Sequence, residues 1–420
     1  MKIMTNNIQG KVTPLGIIPN EWKILPLKKM GEIYSGGTPN TKEPSYWGGN
    51  ILWCTPSDIT KLKTRFIVNT NQKITQCGLK NSSATLLPPG CIIVCTRATI
   101  GNAAINVKEI STNQGFKNIK PIKSINVDWL FYCITLNKHR FVKLGVGSTF
   151  LEVSKKDFEK FKVIVPPLSE QQKIAEVLST WDKAIEKQSQ LIEKLELRKK
   201  GLMQQLLTGK KRLPGFSGEW KNIKLGEIGN TYNGLSGKNK NDFEQGNTRF
   251  IPYINVFSNE KIDTKNLGYV HIDSEELQNT VKYGDIFFTT SSETPDEVGM
   301  ASVLLEQLDN TYLNSFCFGY RLKNFLTLNP FFAAYFFRTE NFRHYMIKLA
   351  QGSTRFNISK KKVMKLKIKL PSIDEQNEIV KILNSINNEI DLDNRKLKDL
   401  YHQKYGIMQQ LLTGKKRVKF

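Results

Sequence analysis

The sequence predicts an α+β fold in which two α/β domains are separated by two long helices, the helices forming an antiparallel coiled coil with approximate two-fold symmetry. Three observations predict it. A twelve-residue segment, GLMQQLLTGKKR at 201–212, returns as GIMQQLLTGKKR at 406–417 with one Leu to Ile change, a self-similarity that chance does not produce. A heptad pattern of apolar residues precedes each copy. Between the repeated pieces the two halves share almost nothing.

The 205-residue offset holds upstream without a gap, pairing Pro166 with Pro371, Glu170-Gln171 with Glu375-Gln376, and Gly147-Ser148-Thr149 with Gly352-Ser353-Thr354. The halves also open alike: Glu21-Trp22-Lys23 matches Glu219-Trp220-Lys221 at an offset of 198, which also brings Tyr34 and Gly36 onto Tyr232 and Gly234. The expected organisation is a variable domain (1–165), a shared helix and linker (166–212), a second variable domain (213–370), and a second shared helix with a tail (371–420).

Each variable domain mixes short β-like runs with turns. Cys91–Cys95 follows Pro88-Pro89-Gly90, Ile286–Thr289 follows Gly284-Asp285, and Val163–Val165 precedes a proline pair. Helices are expected over 127–136 and 330–342. The aromatic residues Phe331, Phe332, Tyr335 and Phe336 at helical spacing are expected in the core rather than as a platform for stacking bases.

After Pro166-Pro167, Ser169-x-x-Gln172 has the form of a capping box, so the first long helix is expected to start at Ser169. Its seam runs Ile174, Leu178, Trp181, Ile185, Ile192, Leu195, Leu202 and Leu206, with Gln188 and Lys199 at the polar steps. The second seam runs Ile379, Leu383, Ile386, Ile390, Leu397, Leu400, Ile407 and Leu411, with Asp393 and Lys404 at the same depths. Two readings of these polar steps are open, a device that sets register and a locally wet, splayed contact. Gly209 and Gly414, each after Leu-Leu-Thr, are expected to end the helices in the left-handed conformation.

Connectivity then sets orientation. Helix one ends about ten residues before the second domain opens at Trp220, so the two domains are expected at its opposite ends, and helix two must run back beside it to bury its stripe. Thirty-eight helical residues at about 1.5 Å each span about 57 Å.

Composition bounds function. The chain has 420 residues, 39% of them hydrophobic, enough for packed cores, and 62 Lys+Arg against 38 Asp+Glu give a charge of +24. Residues 1–165 hold 23 basic and 9 acidic side chains, and 213–370 hold 20 and 16. A partner with dense phosphates fits this excess. No signal peptide or membrane span is readable, and a cytoplasmic location is expected. Cys54, Cys77, Cys91, Cys95, Cys133 and Cys317 form no CxxC pair and are expected to be buried free thiols rather than metal ligands.

Catalytic signatures are missing from the sequence. There is no G-x-x-x-x-G-K-[ST] phosphate loop. Asn329-Pro330-Phe331-Phe332 falls one proline short of an adenine methyltransferase motif, and Pro295-Asp296 has no Asp/Glu-x-Lys following it. His139, His271, His344 and His402 lack metal or triad spacing. A binding protein remains, either a DNA reader or a coiled-coil scaffold that bridges proteins without DNA.

The residues resemble one family over nearly the whole chain, the specificity (S) subunits of type I restriction-modification systems. The resemblance rests on Tyr34-Ser-Gly-Gly-Thr-Pro39, Trp53 with Asp58-Ile59, Gly147-Ser148-Thr149, Pro166-Pro167-Leu168-Ser169-Glu170-Gln171 with Ile174 and Leu178, and the doubled Met-Gln-Gln-Leu-Leu-Thr-Gly. In the second half Tyr232-Asn-Gly-Leu-Ser-Gly-Lys238 departs from the Gly-Gly-Thr-Pro pattern. The resemblance implies a chain without catalysis of its own, whose two target-recognition domains each read half of a split site in double-stranded DNA. It implies two methyltransferase (M) subunits and motor-nuclease (R) subunits as partners, with S-adenosylmethionine, ATP and Mg bound by those partners.

For DNA contacts, Lys42, Lys61, Lys63, Arg65 and Arg97 are expected in the first domain, and Lys238, Asn239, Lys240, Arg249 and Arg355 in the second. Ser148-Thr149 and Ser353-Thr354 are candidates for phosphate ligands or simple turn residues.

Overall fold

The structure is a computed structural model that describes residues 10–146, 151–243 and 246–418. The chain forms two compact units, Met1–Leu191 with Asp393–Phe420, and Ile192–Leu392. Each unit joins one variable domain to the beginning of one long helix and the end of the other. The helices span Leu168–Leu206 and Ile373–Leu411.

In the first unit a five-stranded sheet runs in the order Gly31–Ser35, Phe116–Pro121, Ile92–Cys95, Ala103–Asn106, Phe66–Ile67, antiparallel except for the last pair. Strand alternation divides its faces. Ile92 and Val94 join a core with Trp129, Tyr132, Ile174, Leu178, Met408, Leu411 and Leu412. Ile93 and Cys95 join a smaller core under a three-stranded sheet made by Ile110–Thr112, Trp47–Cys54 and Gln72–Ile74. The side facing the helices is therefore shared architecture, and the side under the small sheet belongs to the domain alone.

The second unit repeats this topology from different residues. Its main sheet runs Gly229–Asn233, Cys317–Leu322, Ile286–Thr289, Ala301–Val303, and a parallel bridge from Lys261 to Val303 stands where the fifth strand was. Ile286 and Phe288 face a core with Leu206, Leu207, Ile379 and Leu383, while Phe287 faces the core under Gly268–Val270, Thr248–Ile251 and Thr311–Leu313.

Because Ile174 and Leu178 pack with Met408 and Leu411 in one unit, and Leu206 with Ile379 and Leu383 in the other, the long helices run antiparallel. Along the first seam Ile174, Leu178, Ile185, Ile192, Leu195 and Leu206 are buried, and Trp181 and Leu202 half-buried. Along the second, Ile379, Leu383, Ile386 and Leu411 are buried, and Ile390, Leu397, Leu400 and Ile407 half-buried.

The polar seam residues meet directly. Gln188 and Asp393 are 7% and 8% exposed, and Gln188 Nε2 donates to the Asp393 carbonyl at 3.2 Å, which excludes the splayed reading at this step. Lys404 turns out of the seam to Asp182, and Lys199 Nζ lies 2.9 Å from Glu260 Oε1.

Three expectations need correction. Cys77, expected with the buried thiols, is exposed, while the other five cysteines are buried and free. The first long helix begins at Leu168, one residue before Ser169, and its first bond runs from Gln171 N to Pro167 O at 3.0 Å. Because Pro167 O accepts that first bond, Pro167 stands at the capping position and Ser169 falls inside the first turn. In the second helix the equivalent position is Ser372, whose Oγ accepts from Glu375 N at 3.3 Å. The helix expected over 330–342 is two, Pro330–Phe336 and Glu340–Leu349, because Thr339 caps a new start with its side chain on Phe342 N. The helix Val127–Leu136 and the core placement of Phe332, Tyr335 and Phe336 agree with the sequence reading.

The repeated motif closes each unit. Glu170 is fully buried, accepts from Trp22 Nε1 at 2.9 Å, and pairs with Arg417 Nε and Nη2 at 3.1 and 2.9 Å. Glu375, 1% exposed, pairs with Arg212 Nε and Nη2, both at 2.7 Å. The neighbouring glutamines tie the domains on: Gln171 Oε1 accepts from Asn126 N at 2.8 Å while its Nε2 donates to Pro166 O at 2.9 Å, and Gln376 does the same with Asn329 N and Pro371 O at 2.9 and 3.1 Å. Asn126 and Asn329 cap the domain helices that follow them.

Gly209 and Gly414 hold φ of +71° and +76°. A Cβ at Gly209 would lie 3.2 Å from the Trp220 ring, and one at Gly414 only 2.5 Å from Pro19 Cδ. Gly209→Ala should therefore cost about 1–2 kcal/mol through backbone strain alone, and Gly414→Ala distinctly more. Urea unfolding of the two variants checks the order.

Candidate nucleic-acid interface

Away from the shared helices, the rim of each domain is built from a loop, a turn and a hairpin that adjoin one another. In the first unit the loop begins at Gly36-Gly37. A Cβ on Gly36 would fall 1.9 Å from Asn113 O, and one on Gly37 2.4 Å from Ala84 N, so Gly36 serves close backbone approach to the 113–115 turn and Gly37 close approach to the Ser83-Ala84 backbone. Gly37 N donates to Thr112 O at 2.9 Å, Trp53 Nε1 donates to Gly37 O at 3.0 Å, and Thr38 Oγ1 donates to Gln114. Asp58 accepts from Thr55 N at 2.8 Å and Asn71 N at 2.9 Å, so that motif residue organises the short helix Pro56–Thr60.

The second unit keeps the geometry and changes the residues. A Cβ on Gly234 would fall 2.0 Å from Asn314 O, and Leu235 N donates to Leu313 O at 2.8 Å, as Gly37 does in the first unit. Leu235 is buried, which explains how the Gly-Gly pattern can be lost with the loop path kept.

The expected contact residues divide by placement. Lys42, Lys61, Lys63, Asn239, Lys240, Arg249 and Arg355 are exposed. Arg249 sits on the central strand of the small sheet, and Arg355 at the tip of the hairpin joining Gln351 to Asn357. Arg97 bridges to Glu152 at the base of the matching hairpin. Ser148-Thr149, with Gly147, lies outside the described residues, while Ser353-Thr354 is exposed.

Two of the expected contacts are engaged elsewhere. Arg65 is built into the joint between domain and helix: Nε meets Asp128 Oδ1 at 2.8 Å, Nη1 meets Asp182 Oδ2 at 3.0 Å, and the guanidinium lies over Phe66. Asp182 also accepts from Tyr132 Oη at 2.5 Å. The same joint in the second unit uses Lys261, which donates to Asn384 Oδ1 at 3.2 Å beneath the rings of Phe331 and Tyr335. Lys238 pairs with Glu276, its side chain 6% exposed.

Sequence reasoning passed over Lys117, Glu152, Tyr253 and Phe316. Tyr253, Ser291, Ser292, Glu293, Glu297, Phe316 and Arg355 line a cavity of about 450 Å³ beside the second hairpin, with Phe316 55% exposed at its lip. These residues come from distant parts of the chain, and no local pattern links them. Among the described residues no group of three or more His, Cys, Asp or Glu side chains is arranged to hold a metal ion, and no helix is long and apolar enough to cross a membrane.

Residues 19–197 and 217–402 match the type I restriction modification DNA specificity domain, once in each half. The chain belongs to that family. It is a specificity (S) subunit, the non-catalytic member of its complex, which recognises DNA and so directs methylation and restriction by partner subunits. It is 38% identical over 192 residues to the MjaIX specificity subunit of Methanocaldococcus jannaschii, a match spanning 44% of each chain. With the MjaVIII specificity subunit of the same organism it shares 24% over 415 residues, 96% of this chain and 94% of that one. The S subunit of the type I restriction-modification system from M. genitalium, a crystal structure, superposes with a TM-score of 0.51 at 16% identity, covering 95% of this chain and 99% of the other; that likeness concerns the fold.

The Lys238–Glu276 pair makes a specific prediction for this S subunit. The hydrogen bond from Lys238, followed by that from Gln278, holds the Glu276 carboxyl at about 2, below its usual 4.5. A depressed folded value means the pair contributes above the unfolded carboxyl range and is lost as pH falls toward 2. Lys238→Met should bring the Glu276 carboxyl back toward 4.5, read by NMR titration of the side-chain carboxyl.

Proposed function

We propose that this S subunit reads a bipartite DNA site, with residues 1–165 reading one half and residues 213–370 the other, and that the paired helices fix the unspecified spacer between them. The observation that carries the reading is one chain building the same domain topology twice around a repeated closing motif, with unlike residues on the two rims. A repeated frame supplies geometry and unlike rims supply two addresses. Phosphate contacts position such a protein, and a few groove contacts specify the sequence; the exposed Lys42, Lys61, Lys63, Asn239, Lys240, Arg249 and Arg355, with Arg97, are the residues proposed for this work.

The partners under this reading are two adenine methyltransferase subunits and ATP-driven motor-nuclease subunits, which bring S-adenosylmethionine, ATP and Mg. The strongly basic first domain fits a phosphate-rich ligand better than a protein-only scaffold does.

Replacing residues 1–165 with the first domain of another S subunit should change one half of the methylated sequence and leave the other half as it was. Genome-wide mapping of methylated adenines reads this, and a change in both halves would refute the modular reading. Inserting four residues into each long helix at matched depth adds about 6 Å, or roughly two base pairs at ~3.4 Å each. The same mapping should then show a spacer lengthened by about two base pairs.

A further inference from the structure

At the base of the first unit's hairpin, two cations converge on one carboxylate. Arg97 Nε lies 2.9 Å from Glu152 Oε2, and Lys117 Nζ lies 3.9 Å from Glu152 Oε1. Arg97 and Glu152 are partly exposed, at 43% and 32%, whereas the Lys117 side chain is 7% exposed. Burial, the largest influence, pulls the Lys117 ammonium below the ordinary lysine range. Glu152 is the one carboxylate within ion-pair distance of it among the described residues.

The second unit shows that the fold does not require this arrangement. Backbone bonds align the two sites: Thr96 N donates to Gly115 O and Val153 N to Thr96 O, as Thr290 N donates to Phe316 O and Ile358 N to Thr290 O. Arg97, Glu152 and Lys117 thus correspond to Ser291, Asn357 and Phe318. Ser291 pairs with Asn357, and Phe318 is a core residue 1% exposed. A site that packs well with a phenylalanine holds a buried lysine only in the first unit, and burying that charge is costly. The residue after Arg97, Ala98, carries a φ of +58°, a conformation that costs an L-residue free energy and recurs where a neighbouring group must be aimed.

We infer that Glu152 restrains Arg97 in the free protein and hands it to DNA on binding, with Lys117 moving onto the vacated carboxylate. This rests on the first domain reading DNA, as proposed above. Arg97, whose Nε and Nη2 both donate to the single oxygen Oε2 of Glu152, would leave it for the two acceptors of a guanine edge. Unaided, the exchange would strand Glu152 beside the DNA. Lys117 stands 3.9 Å from the carboxylate, about 0.7 Å beyond hydrogen-bond reach, so a small rotation of its side chain neutralises the carboxylate as Arg97 departs. The carboxylate competes for Arg97, so only a site offering a good acceptor pair draws it away, and discrimination follows.

The test uses the full chain with its methyltransferase subunits, on the mapped duplex and on duplexes altered in one half-site, across a salt series. Glu152→Gln should tighten binding to the duplex altered in the first half by about tenfold and steepen the slope of log K against log salt by about 0.9, one further phosphate contact. Arg97→Ala should abolish both effects of Glu152→Gln. Lys117→Met should weaken binding to the mapped duplex and have no effect in the Glu152→Gln background, since nothing then needs neutralising. In the Arg97→Ala chain, affinity lost only where the first half-site is intact supports the exchange at a guanine edge; an equal loss on all duplexes would overturn it, because Arg97 would then be free of Glu152 whatever the sequence. Wild-type binding and slope in Glu152→Gln, or an equal effect of Lys117→Met in both backgrounds, would overturn the inference. Should Lys117→Met not fold, the Glu152→Gln and Arg97→Ala pair decides alone. A wild-type chain that does not distinguish duplexes altered in the first half would refute the proposed function instead.

Discussion

Two buried carboxylates, each gripped by an arginine from the far end of the other long helix, hold the molecule to its design. Glu170 with Arg417, and Glu375 with Arg212, place a charge where water does not reach and supply a bidentate partner for it. A buried ion pair adds little net stability over apolar packing, but removing one partner leaves an uncompensated charge. Its value is direction: the start of each helix accepts only the end of the other, which dictates antiparallel pairing more strictly than an apolar stripe does. Trp22, Gln171 and Gln376 extend the same network into the domains, so that each rim is oriented by the closing motif.

The shared parts were legible in the sequence because they obey two strict periodicities, the heptad and the duplication. The helix bounds, the glycine stops and the polar interruption at Gln188 and Asp393 all came from one-dimensional pattern. The capping residue of the first helix was missed because Ser169-x-x-Gln172 imitates a capping box two residues beyond the carbonyl of Pro167 that accepts the first helical bond. The break at Thr339 was missed because aromatic residues on both sides of it continue an apolar trend that hides a capping side chain.

The rims were less legible. Exposure can be inferred for a lysine in a polar loop, and Lys42 and Lys61 are exposed as loop residues tend to be. Arg65 follows a similar basic stretch, yet its partners Asp128 and Asp182 stand 63 and 117 residues away, and no local window contains them. The Tyr34-to-Pro39 motif was visible as a signature of kinship, but its physical role, Gly36 pressed against the backbone at Asn113 and Gly37 against that at Ser83-Ala84, needs those distant segments in place to be understood. Comparing the two units recovers what pattern cannot: where Phe318 and Lys117 occupy one position, packing accounts for the first and not for the second.

The closing motif also orders events during synthesis. The first unit contains residues Met1–Leu191 but is completed by Asp393 onward, whereas the second unit is contained in Ile192–Leu392. Domains tend to fold as they emerge, at about 5–20 residues per second, so the ribosome releases everything the second unit needs before the first can shut. Until Arg417 emerges, Glu170 is without its cation and the early-made domain stays open along the face that Met408, Leu411 and Leu412 will cover. A message cut short before the codon for Met408 would leave that oily flank bare, exposing the unfinished polypeptide to proteolysis before it could misdirect its companions.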